Sequence, residues 1–120
     1  MLNDPWWADK YWEKAAGIKE PYFRAMTVGF WGLALWDRGE RKRGKLKAEE
    51  AVRGLTVKST EAYIVRGDIC LQMATRDPEW FARAIDEYIK IPADDDRHRI
   101  YLAAAEQAER ESGRSEAGAP

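Results

Sequence analysis

Apolar and polar positions alternate along this chain with the three- and four-residue spacing of amphipathic helices, and no stretch sustains the two-residue alternation of a half-buried strand. The clearest case is "WFARAIDEYIK", where Phe81, Ala84, Ile85, Tyr88 and Ile89 fall at i, i+3, i+4, i+7 and i+8. Glu79, Arg83, Asp86, Glu87 and Lys90 occupy the opposite side. Asp77 and Pro78 open this helix as cap and first residue, and Pro92 closes it.

The same punctuation recurs. Asp4 and Pro5 open a first helix that stops at Gly17, with Trp7, Ala8, Tyr11, Trp12 and Ala15 on one face. A second helix is expected from near Pro21 to before Gly39, and a short one over Leu46–Arg53, closed by Gly54. A further long helix runs from Ser59 or Thr60 to about Thr75. The last is expected from about Asp95 to Glu111, with Ile100, Tyr101, Ala104, Ala105 and Ala108 as a small-residue stripe. The pattern predicts an all-α protein: a compact bundle of about five or six helices with antiparallel helical hairpins. It is read as a single helical domain over 1–111, a basic loop at 38–47, and a disordered tail at 112–120.

The second helix breaks the amphipathic rule. Ala25–Trp36 is twelve residues without a charge. At 1.5 Å per residue it rises about 18 Å, short of the ~30 Å hydrocarbon core, so it does not span a membrane. An interfacial helix would keep a polar face, and this stretch has none. A helix apolar on all sides asks for protein cover. Ala25, Gly29 and Gly32 are small enough to let another backbone come close.

Composition sharpens that question. Six of 120 residues are Trp, a residue favoured at interfaces because its ring is large and its N–H can stay hydrogen-bonded. The candidate partner-binding residues are therefore Trp6, Trp7, Trp12, Phe23, Phe30, Trp31 and Trp36, serving self-association or docking on a larger assembly. The single Cys70 excludes an intramolecular disulfide, and "MLNDPWWADK" lacks a basic region followed by an apolar one. The expectation is a cytoplasmic protein.

The net charge of −1 conceals a basic centre: residues 38–58 hold eight Lys or Arg against three Asp or Glu, and residues 59–120 hold eight against thirteen. Such a cluster suits phosphate contact, and it makes Arg38, Arg41, Lys42, Arg43, Lys45, Lys47, Lys58, Thr60 and Arg66 the candidate residues of an alternative, nucleic-acid-binding role. "EEAVRGLTVKSTEAYIVRG" resembles a helix-turn-helix unit, with Gly54 at the turn and Ser59 and Thr60 opening the second helix. The resemblance implies that Lys58, Ser59, Thr60, Glu61 and Tyr63 would sit near bases, with Arg66 nearer the backbone. It departs from the family at Glu50, where alanine is usual. "WFARAIDEYIKIP" is similar to the second helix of a tetratricopeptide-type hairpin through Phe81, Ala84, Tyr88 and Pro92. No second copy exists, so it implies an antiparallel hairpin only.

Catalytic signatures are sparse. His98 is the only histidine, which excludes a di-iron bundle built on paired Glu-x-x-His motifs. Asp94, Asp95 and Asp96 beside it read as a helix start matched to the dipole. Cys70 lies among Ile69, Leu71 and Met73 and reads as a buried thiol. The expected role is non-catalytic, without cofactor or metal.

Overall fold

The computed structural model describes residues 6–17 and 20–117, without the side chains of 6–8, 11, 16 and 114–117. Asp4 and Pro5, expected to open the first helix, lie outside the described residues. Among the described residues six α-helices occur in chain order: α1 Trp6–Ala16, α2 Pro21–Asp37, α3 Arg41–Gly54, α4 Thr60–Ala74, α5 Trp80–Tyr88 and α6 Asp96–Ala117. There is no strand among the described residues, as an all-α helical bundle requires. The described residues fall into two compact units, one up to Thr56 and one from Val57 onward.

The first unit is a hairpin of α2 and α3 with α1 packed on α2. α2 starts at Pro21, with the Glu20 carboxylate accepting from the Phe23 backbone N–H. It ends in a Schellman-type closure. The Glu40 N–H donates to the Leu35 carbonyl at 2.9 Å and the Gly39 N–H to the Trp36 carbonyl at 3.0 Å, around a Gly39 φ of 100° that favours glycine.

The segment expected as a basic loop at 38–47 is helical from Arg41 onward. Its two glycines suggested a loop, yet they do different work. Gly39 makes the turn. Gly44 lies inside α3 where the helix crosses α2 at Gly32: a Cβ on Gly32 would stand 2.7 Å from the Gly44 carbonyl oxygen, and one on Gly44 would stand 2.6 Å from that of Gly32. The pair lets two backbones touch. Ala48, Ala51 and Val52 are buried on α3, as Ala25, Val28, Leu33 and Leu35 are on α2.

The second unit is built on α4 and α5, which pack as the expected hairpin, with α6 laid on α5. Ser59 caps α4, its Oγ accepting from the Ala62 N–H at 3.1 Å. Ile69, Cys70, Met73, Trp80, Phe81, Ala84, Tyr88 and Ile91 form the core. Gly67 admits the Tyr88 ring, since a Cβ there would meet ring carbons Cδ1 and Cζ at 2.6 and 2.9 Å. The Tyr88 hydroxyl reaches past it to donate to Asp68 at 2.5 Å. Burial and the neighbouring carboxylate push that hydroxyl well above its ordinary range.

Three sequence expectations shift here. α5 begins at Trp80, two residues after Pro78, because residues 77–79 form a turn in which the Asp77 carbonyl accepts from the Trp80 N–H at 3.0 Å. Glu87, assigned to the solvent side of α5, turns inward onto Arg66. α6 is described to Ala117, past Glu111 where the pattern ended it, with Gln107 donating to Glu111 at 3.0 Å along its exposed side. In α6, Ala105 is buried and Tyr101 lies 5.2 Å from Tyr88, whereas Ile100 points to solvent.

Candidate interaction surface

α2 has three sides with different fates. The side bearing Val28, Gly32 and Leu35 is covered by α3. Trp31 is buried, its indole N–H donating to Asp9 of α1 at 3.2 Å and its ring face taking the Lys47 ammonium at 4.0 Å. The third side, turned away from α3, carries Phe23, Met26 and Phe30 at 50, 42 and 47% exposure. Their i, i+3, i+7 spacing places them in one stripe. No charged residue interrupts α2 between Arg24 and Asp37.

The helix that asked for cover on all sides is thus covered on two. Of the residues expected at an interface, Phe23 and Phe30 stand in solvent, Trp12 and Trp36 are half-buried, and Trp31 is internal. The side chains of Trp6 and Trp7 lie outside the described residues. Met26 joins this stripe without being aromatic, and its helical spacing from Phe23 and Phe30 is the sequence signal that marks it.

α1 is tied to the hairpin through a carboxylate. Asp9 accepts from Arg38 at 3.1 and 3.0 Å, accepts from Trp31, and pairs with Arg43 at 3.6 Å. Partial desolvation would raise the Asp9 carboxyl, but the hydrogen bonds from Arg38 and Trp31 outweigh it and hold the group below its usual range. Arg38 also donates to Glu40 at 2.5 Å, and Glu40 accepts from Arg43 at 2.7 Å. The hydrogen bond from Arg43, above all, lowers the Glu40 carboxyl.

The basic candidates divide accordingly. Arg38 is engaged with Asp9 and Glu40, Arg41 stacks 5.3 Å over Trp36, and Lys47 is shared between Trp31 and Glu50. Lys42, Arg43 and Lys58 are exposed; Lys45 and Thr60 are half-buried. Arg66 is buried in the second unit, donating to Glu87 at 2.9 Å and to the Val57 carbonyl at 3.0 Å. The helix-turn-helix resemblance draws on α3 from one unit and α4 from the other.

Other chemistry resolves into structure. The Asp95 carboxylate accepts from the Arg97 guanidinium and backbone N–H, which lower it to about 2, and so caps α6. His98 Nδ1 meets the Ile91 carbonyl at 2.6 Å, and Cys70 is buried. Among the described residues, no group of three His, Cys, Asp or Glu converges as metal ligands, and no helix is long and apolar enough to cross a membrane. A shallow cleft of about 510 Å³ lies between the start of α2 and the end of α3, floored by Ala25, Val28 and Ala51 and rimmed by Arg24, Glu50 and Arg53. Its mixed rim selects no single charge. Comparison with protein-family models, curated proteins and solved structures found no match for this chain.

Proposed function

We propose that this protein is a non-catalytic helical interaction module that associates, with itself or with a larger assembly, through the outer face of α2. The observation that carries the reading is the Phe23–Met26–Phe30 stripe, three large apolar side chains left in water by a helix whose other sides are packed. With a full burial of 150–250 Å² for an aromatic side chain, the three leave roughly 300 Å² in solvent. That matches the largest patch of many monomers, and such patches are often functional. It is under half of the ~800 Å² per partner in a standard interface, so the stripe is the anchor of a weak or transient association.

The test is sedimentation velocity over a micromolar-to-millimolar concentration series, comparing the protein with a Phe23→Ser/Met26→Ser/Phe30→Ser variant. Concentration-dependent association abolished by the triple change supports the reading. The nucleic-acid alternative is separated by fluorescence anisotropy with duplex and single-stranded DNA at about 50 and 200 mM salt, where phosphate contact shows as a fall of orders of magnitude. Affinity of that kind, lost with Arg41, Lys42 and Arg43 changed to Ala, would transfer the function to α3.

A further inference from the structure

α3 carries a second exposed surface, which meets the α2–α3 cleft at Arg53. Lys42, Leu46, Glu49 and Arg53 fall at i, i+4, i+7 and i+11, a single stripe along about 16 Å of helix. Leu46 is 61% exposed, more than any other large apolar residue described, and it sits in a helix with six Lys or Arg against two Asp or Glu. Arg53 lies at one end of the stripe, its side chain 79% exposed and donating to Glu49 at 3.3 Å, and Lys42 is exposed at the other.

We infer that this face of α3 is a docking site for an acidic amphipathic helix of a partner protein, with Leu46 as its apolar anchor and Lys42 and Arg53 as its charged ends. The charge distribution selects the partner. Nucleic acid would meet the cations but leave Leu46 against phosphate and bring Glu49 and Glu50 toward like charge. A helix with carboxylates on either side of an apolar residue meets Lys42 at one end, competes with Glu49 for the exposed Arg53 at the other, and covers Leu46 between them. For an antiparallel helix whose leucine j rests on Leu46, the residue facing Lys42 is j+4 and the one facing Arg53 is j−7. Glutamate at those two positions and alanine at j−3, opposite Glu49, define the recognised pattern. The surface belongs to α3, shares no residue with Phe23, Met26 and Phe30 of α2, and is independent of that stripe.

The experiment titrates the full chain against a fluorescein-labelled helical peptide of that pattern and against its scramble, with equal charge and no stripe. The stripe peptide binds more tightly than the scramble, and added salt weakens it. Leu46→Ala lowers affinity about tenfold, the loss of about 1.4 kcal/mol of apolar burial. Lys42→Glu with Arg53→Glu abolishes binding, and Phe23→Ser/Phe30→Ser leaves it unchanged even if the α2 reading fails. Circular dichroism checks that each variant folds, and the charge pair stands in if Leu46→Ala does not. Failure of the stripe peptide to bind overturns the inference, as does equal affinity for the scramble or indifference to Leu46→Ala. Competition by duplex DNA or by vesicles rich in phosphatidylserine, insensitive to Leu46, overturns it in favour of a phosphate or lipid surface.

Discussion

Gly32 and Gly44 are reciprocal: each is the residue whose missing Cβ lets the other's carbonyl oxygen approach, at 2.7 and 2.6 Å from where that atom would be. Neither clash can be relieved by a side chain, because the opposing atoms also include the backbone nitrogens of Ala48 and Trp36 at 2.9 Å. Mid-helix glycine costs about 1 kcal/mol relative to alanine, so each is retained against its own propensity. Gly32→Ala and Gly44→Ala should each destabilise the fold by about 1–3 kcal/mol in urea denaturation, overpacking outweighing the propensity gain. A neutral or stabilising outcome would mean that the helices do not cross this closely.

Gly67 presents the same logic against a side chain. Alanine there runs into the Tyr88 ring, which is pinned by burial and by the hydroxyl's bond to Asp68. Gly67→Ala is expected to destabilise, and Tyr88→Leu to destabilise by cavity formation and loss of the hydroxyl bond. The double variant should lose less than the sum, with a coupling of at least about 0.5 kcal/mol. Strict additivity would contradict the contact.

Arg66 and Glu87 form a nearly buried ion pair whose side chains are 9 and 13% exposed. Removing one partner strands the other, so Arg66→Ala should cost about 3–5 kcal/mol, while replacing both with Met and Leu should recover much of it. Thermal unfolding of the two single variants and the pair tests this. If Arg66 instead served nucleic acid from solvent, Arg66→Ala would leave stability nearly untouched.

Asp9 makes the attachment of α1 pH-dependent. Its native carboxyl is held below its unfolded value, so it binds protons less readily when folded. The stability it contributes is therefore complete above the unfolded pKa of about 3.9 and disappears as pH falls through the lower native value. Near-ultraviolet circular dichroism, which senses Trp31, should change on acidification below that point. Asp9→Asn should be less stable at neutral pH and lose part of the acid dependence, Glu40 and Asp95 supplying what remains.

Much of the architecture was legible because capping and turn residues are local signals. Pro21, Ser59 and Gly39 each marked a boundary that the structure keeps. The basic segment was misread because Gly44 carries no local sign of its use; only its opposition to Gly32, twelve residues earlier and on another helix, makes it a packing residue rather than a loop residue. Glu87 was misplaced for the same reason, since its partner Arg66 lies on a different helix. At the candidate surface, an unbroken apolar helix announced that something must cover it. Which side stays open depends on where α1 and α3 land, and that is tertiary information. Trp31 was therefore expected outside, while Met26 and Leu46 went unnoticed.

Sedimentation velocity of the protein beside its Phe23→Ser/Met26→Ser/Phe30→Ser variant decides whether the outer face of α2 is a self-association surface. The weight-average sedimentation coefficient should rise with concentration for the natural sequence and stay at the monomer value for the variant, with both equally helical. A natural sequence that remains a monomer up to millimolar concentration, or a variant that associates just as well, would contradict self-association through this face.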